Sequence, residues 1–258
     1  MTLHSDFVDL STGARFHYVD TDPGDSAKPV ALLLHGMLGT AELHFPNVIE
    51  WLRPDYRVVG PSLRGYGQST PKPRDFPVDF YERDARDVVA FMNALGSGSV
   101  HVLGYSDGGE VALLAASYAP ERFKSVVTWG AVGYFGPAMR PVAQRMYPPT
   151  WMTEEEKVLH GITDPDAFVL GWIHAVRHII DSGGDLSLSL AEKISAPLLL
   201  MLGDQDTLNP AEYGQRLVDR ASNGRLQIFE CGHPVHDQQW EAFKAAVGPF
   251  LQAAEAQG

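Results

Sequence analysis

"VHVLGYSDGGEVALLAASYAP", residues 100–120, passes from an apolar run through a glycine-bracketed serine into a second apolar run of different period. Residues 100–104 suit a buried strand, and residues 108–118 place apolar side chains at helical spacing, so the chain must turn sharply between them. Gly104, Ser106 and Gly108 match G-x-S-x-G, the strand-to-helix turn that holds a serine in a strained backbone conformation. Side chains at 104 or 108 would keep strand and helix apart, and Gly109 relaxes the same crowding. By composition alone such a pattern arises in roughly one chain in ten of this length. Its position between strand and helix is what carries weight, because a helix N-terminus sets backbone N–H groups and a positive dipole end beside the serine oxygen. Ser106 is the candidate nucleophile and the Asp107 N–H a candidate oxyanion donor.

Outward from this turn, short runs rich in Val, Ile and Leu alternate with stretches of helical period, the pattern of an α/β protein with a mostly parallel sheet covered on both faces. Strands are expected at 7–10, 15–20, 30–35, 56–60, 99–104, 123–129, 197–203 and 225–230. Helices are expected over much of 41–52, 81–95, 108–118, 211–221 and 238–253. From about Tyr134 to about Asp185 no strand-like run appears, but "DAFVLGWIHAVRHII" (166–180) has helical periodicity. The expected organisation is a core of residues 1–133 and 186–258 with a helical lid insertion at 134–185. In that helix Trp172, Ile173, Val176, Ile179 and Ile180 read as packing positions. His174 and His178 lack a third ligand and an intervening glutamate, so no metal site is expected.

A serine hydroxyl needs a base, and the base needs an orienting acid. In a sheet of this kind the order along the chain is serine, acid, histidine, with the acid after a late strand and the histidine after the last. "GDQDTLNP" (203–210) offers Asp204 and Asp206, and "CGHPVHD" (231–237) offers His233 and His236. No Asp or Glu occurs between Glu121 and Glu154, which excludes an acid after the strand ending at Trp129. A second oxyanion donor is expected from "HGMLG" (35–39), where the glycines let the Met37 N–H turn inward.

With 258 residues and 45% hydrophobic composition the chain can bury a sizeable core. A net charge of −12 with no basic face argues against a nucleic-acid partner. No apolar run approaches a membrane span and the Met1 end carries no basic-then-apolar leader, so a soluble, cytoplasmic protein without a membrane partner is expected. The single Cys231 leaves no internal disulfide and no cysteine cluster for zinc.

Order and context together resemble the α/β-hydrolase superfamily over nearly the whole chain. The acid loop of that superfamily, G-x-x-D-x-x-x-P, is met by Gly203, Asp206 and Pro210, and its histidine follows a glycine; the resemblance therefore favours Asp206 and His233. "RDFPVDFYERDARD" (74–87), "GYSDGG" (104–109) and "WGAVGY" (129–134) look more narrowly like the biphenyl hydrolase-like (valacyclovir hydrolase) family of α-amino-acid ester hydrolases. The resemblance implies a cofactor-independent serine ester hydrolase with a small-molecule ester as substrate, in which Asp107 binds the substrate's α-ammonium group. The alternatives are a C–C bond hydrolase of the same fold and a non-catalytic binding protein. Ser62 stands where the superfamily usually has an aspartate, and sequence offers no physical account of it. Oligomeric state is not legible.

Overall fold

The computed structural model describes residues 3–24 and 27–256; the outer bounds expected for the core, 1 and 258, lie outside the described residues. Eight strands form one sheet in the order β1-β2-β4-β3-β5-β6-β7-β8. They are β1 (His4–Asp9), β2 (Arg15–Asp20), β3 (Val30–Leu34), β4 (Arg57–Pro61), β5 (Val100–Tyr105), β6 (Phe123–Trp129), β7 (Leu198–Gly203) and β8 (Gly224–Phe229). The pairings β1–β2 and β2–β4 are antiparallel, and the other five are parallel.

The ten α-helices among the described residues are α1 (Ala41–His44), α2 (Pro46–Leu52), α3 (Phe80–Ala94), α4 (Asp107–Tyr118), α5 (Met139–Gln144), α6 (Glu154–His160), α7 (Pro165–Asp181), α8 (Ala211–Arg220), α9 (Val235–Gln238) and α10 (Trp240–Glu255). The period-two alternation of the central strands divides the core into two layers. Leu32, Val102, Val126 and Leu200 pack on one face with residues of α3, α4 and α8. Leu33, Leu103, Val127 and Met201 pack on the other with Val48 and Ile49 of α2 and Phe243, Val247 and Leu251 of α10. Burial on both faces is why these strands read as unbroken apolar runs.

Beyond shifts at element ends, such as β1 at His4–Asp9 rather than 7–10, two details differ from expectation. The helix expected over 41–52 is two helices, because Pro46 has no N–H to continue the first and starts the second at its N1 position. Residues 134–185 hold three helices rather than one, and an isolated antiparallel bridge between Tyr134 and Asp185 brings the ends of this segment side by side. His174 and His178 are solvent-exposed on α7. No helix among the described residues is long and apolar enough to cross a membrane.

Candidate active site

The G-x-S-x-G turn forms as the sequence requires. Ser106 has φ 54° and ψ −124°, in a region an L-residue enters only under constraint. Cβ atoms added at Gly104 and Gly108 would lie 2.4 Å from the Gly108 carbonyl oxygen and 2.2 Å from the Leu34 carbonyl oxygen, so both positions need glycine. The turn exposes Oγ at the C-terminal edge of the parallel strands, where the loops after β7 and β8 converge.

Those loops bring Asp206 and His233 to the serine. Ser106 Oγ–H donates to His233 Nε2 at 2.9 Å, and His233 Nδ1–H donates to Asp206 Oδ2 at 2.7 Å. Burial opposes ionisation of Asp206. The hydrogen bonds from His233, from the Asn209 amide and from the Leu208 N–H outweigh it and hold the carboxyl below the usual range. Gly130 leaves room for the imidazole, since a Cβ there would come within 2.6 Å of His233 Cε1.

The structure separates the sequence alternatives. Asp204 is exposed on the same loop, away from this chain of bonds. His236 is buried, accepts from Trp129 Nε1–H at 2.9 Å through Nδ1 and donates from Nε2 to the His44 carbonyl at 3.0 Å, so neither nitrogen is free for proton transfer.

Gly36 runs directly against the nucleophile, where an added Cβ would sit 2.9 Å from Ser106 Cβ. Met37 follows it, and its N–H has no acceptor among the described residues. Asp107 is the first residue of α4, where an N–H has no intrahelical partner. Met37, Ser106, Asp107 and His233 all line one cavity of about 230 Å³, which Leu38, Met146, Trp151, Trp172 and Leu208 make largely apolar. A narrower space of about 20 Å³ continues inward past Tyr81, Glu110, Phe135 and Asn209.

Asp107 is buried at this junction. Tyr81 Oη–H donates to its Oδ1 at 2.6 Å, while Oδ2 has no hydrogen-bond partner. Trp172 Nε1–H lies near the same carboxylate without completing a hydrogen bond and is itself unpartnered. Burial raises the Asp107 carboxyl above the usual aspartate range, against the pull of the Tyr81 hydroxyl and the Arg74 charge. Arg74 is wholly buried in a bidentate pair with Asp84 under the Tyr66, Phe76 and Phe80 rings. Arg64 pairs likewise with Asp87. These two ion pairs engage Arg74, Asp84 and Asp87 of the charge-rich stretch 74–87. Ser62 is buried against Gly67, where an added Cβ would come within 2.7 Å of the Ser62 Oγ; nothing in the structure explains the serine itself.

Sequence reasoning missed Tyr81, Trp172 and Asn209 as polar neighbours of the site. Asn209 had a readable signal, lying three residues after Asp206 in a turn. No cluster of three His, Cys, Asp or Glu side chains with metal-holding geometry occurs among the described residues.

Comparison with known proteins agrees with this geometry. A family model described as the alpha/beta hydrolase fold matches residues 29–161. Serine hydrolase BPHL of Homo sapiens is 33% identical over 249 residues, covering 93% of this chain and 84% of that protein. A 2-hydroxy-6-oxononadienedioate/2-hydroxy-6-oxononatrienedioate hydrolase of Burkholderia vietnamiensis is 29% identical over 95% of this chain and 93% of its own. Among solved structures, a serine hydrolase from Cycloclasticus zankles superposes with a TM-score of 0.77 at 19% identity, covering 97% of this chain and 98% of that one; at that identity it speaks to the fold alone. The chain belongs to the α/β-hydrolase family and is a hydrolase of that fold.

Proposed function

We propose that this hydrolase cleaves small carboxylic esters through an acyl-enzyme on Ser106 and prefers α-amino-acid esters. The observation that carries the reading is the continuous bond chain Ser106–His233–Asp206 opening onto a cavity flanked by two backbone donors. Ser106 Oγ attacks the ester carbonyl carbon as its proton passes to His233 Nε2, while the Met37 and Asp107 N–H groups hold the oxyanion. Collapse breaks the ester C–O bond, and the alcohol leaves with the proton from Nε2. Water then repeats the sequence on the acyl-enzyme, releasing the acid. Asp206 stays ionised throughout and keeps the Nδ1–H tautomer. No cofactor or metal enters the scheme.

The amine preference rests on Asp107. Its Oδ2 is buried at the cavity without a partner, and an unpaired carboxylate oxygen there is best satisfied by a cation. The bridge at Tyr134–Asp185 supports reading residues 134–185 as a lid over a core of 1–133 and 186–258, with Met146, Trp151 and Trp172 its contribution to the cavity. A cytoplasmic protein acting on small molecules, with no nucleic-acid or membrane partner, fits the net charge of −12 and the single cysteine.

Rates on short p-nitrophenyl esters beside matched α-amino-acid esters test the reading. Turnover of both, faster with the free amine, supports it. The relative named for 2-hydroxy-6-oxo dienedioate hydrolysis keeps a second reading in play, C–C bond hydrolysis of β-diketone-like substrates. Turnover of such a substrate without ester turnover would replace the first reading by this one. The buried Asp107 carboxylate disfavours the anionic members of that class.

A further inference from the structure

The loop that carries Met37 is gripped by imidazoles. His35 Nδ1–H donates to the Gly36 carbonyl at 2.7 Å, and the Gly36 N–H donates to His44 Nδ1 at 3.2 Å. The third ring, His160, comes from the last turn of α6, more than a hundred residues along the chain. The Gly67 N–H donates to His160 Nδ1 at 3.0 Å, so Nδ1 is the bare nitrogen, and Nε2–H donates to the Leu38 carbonyl at 2.9 Å. One neutral ring therefore ties together the loop after β3, the loop after β4 and the segment between β6 and β7. Burial lowers the proton affinity of all three imidazoles, that of His44 to about 4, and keeps them neutral.

Leu38 is where such a tie is needed. It follows Met37 directly and has φ 54°, one of two non-glycine residues among those described with positive φ; the other is Ser106. A leucine held there is strained and persists only where its surroundings over-determine it. Its side chain is buried against the cavity, and its carbonyl is held by His160. His160 is fixed in turn: Lys72 Nζ–H donates to its carbonyl at 2.8 Å and the Tyr66 ring meets it edge-on at 5.3 Å.

We propose that His160 is a positioning residue for the oxyanion hole: by bonding the Leu38 carbonyl it holds the strained residue that follows Met37, and with it the loop that presents the Met37 N–H, so that docking of the helical segment and assembly of the hole are one event. The inference rests on the acyl-enzyme reading, in which Met37 supplies one of the two donors. It requires the Nε2–H contact rather than the bulk of the ring.

The test compares wild type with His160→Ala, His160→Gln and His160→Asn. Glutamine places its amide N–H where Nε2 stood, whereas the asparagine amide reaches only as far as Nδ1. The first readout is the rate at which an alkyl fluorophosphonate phosphonylates Ser106, followed by intact mass. In that step the Oγ–P bond forms, fluoride leaves and the serine proton passes to His233. It uses the oxyanion hole but no ester specificity, so a wild type that is labelled yet turns over no ester loses the substrate reading and leaves this inference testable. The second readout is kcat and KM on p-nitrophenyl acetate, at a temperature well below the lowest melting point by circular dichroism. His160→Ala is expected to slow labelling and kcat by about 10- to 100-fold with KM little changed, less than the full loss of an oxyanion donor. Glutamine should recover most of the rate, and asparagine should remain as slow as alanine. An alanine variant as fast as wild type, or a glutamine variant no faster than the asparagine one, overturns the proposal. If the alanine variant does not fold, the glutamine–asparagine pair decides.

Discussion

On the sheet side of Ser106, both carboxylate oxygens of Asp206 and both nitrogens of His233 have partners, whereas on the helical side Asp107 Oδ2 and Trp172 Nε1 are buried without one. The first arrangement is complete within the protein, as groups that must act identically on every substrate should be. In the proposed reading the second is completed by the substrate amine, since an unpaired buried polar group costs about 1–3 kcal/mol that a matching ligand group returns. That reading assigns rate to one set of lining residues, or wall, and preference to the other, and substitutions should separate them.

The largest effects belong to the completed wall. Ser106→Ala and His233→Ala should each lower kcat/KM on p-nitrophenyl acetate by about 10⁴- to 10⁶-fold, with the double variant scarcely worse, because the two residues serve one step. Losses that multiplied would show that they do not. Asp206→Asn should lose about 10⁴-fold by favouring the wrong imidazole tautomer. His236→Ala is the control on this wall: its hydrogen bonds to Trp129 and to the His44 carbonyl are structural, so melting temperature should fall while most of the rate survives. A severe rate loss there, with an active His233 variant, would reverse the assignment.

That wall was also the legible one. Gly104, Ser106 and Gly108 form a turn with side-chain requirements of its own, so local sequence carried that signal; for the acid and the base chain order narrowed the choice to Asp204 or Asp206 and His233 or His236, and the family resemblance favoured Asp206 and His233. The bounds of β2 and β6 were readable to the residue because both strands are short apolar or alternating runs between turn residues. Helix α6 was missed although Thr153 and Glu156 form a capping box that the sequence displays openly. His160 and Tyr81 were unreadable for a different reason. Each acts on a partner distant in sequence, Leu38 and Asp107, and a lone imidazole or phenol carries no mark of which remote group it will meet.

The intermediate effect belongs to the wall completed by substrate. Wild type should favour an ester with a free α-amino group over its N-acylated form by about 10- to 150-fold, the range of a partly buried charged hydrogen bond. Asp107→Ala keeps its backbone N–H and should erase mainly that preference. The preference requires an ionised Asp107 and a protonated amine. It should therefore fade as pH falls through the raised pKa of Asp107, and again as pH rises past the amine's, about 7.7–8.0 for an α-amino group. Equal kcat/KM for the two esters in wild type would leave Asp107 as a helix-end charge.

The smallest effect on rate is expected one turn along α4, and it sharpens the contrast most. Glu110 is as buried as Asp107 and adjoins the narrow end of the cavity. Its Oε1 accepts from the Val132 and Gly133 N–H groups and its Oε2 from Gly133, so it belongs with the completed wall. Burial pushes its carboxyl from the ordinary 4.5 up to about 7, with the two backbone donors pulling down and the Asp107 charge pushing up. A raised folded-state pKa means that the fold holds a proton the unfolded chain has released. The resulting stabilisation is full below pH 4.5, is lost as pH rises through about 7, and amounts to on the order of 3 kcal/mol. Glu110→Gln does not titrate, so in urea unfolding its stability relative to wild type should improve steadily from about pH 4.5 to about pH 7, the span between the two pKa values, and level off above it. Amine selectivity should be untouched. If Glu110→Gln instead abolished the preference for free amines while Asp107→Ala kept it, the fully bonded carboxylate would be the one that reads substrate, and the division between the two walls would fail.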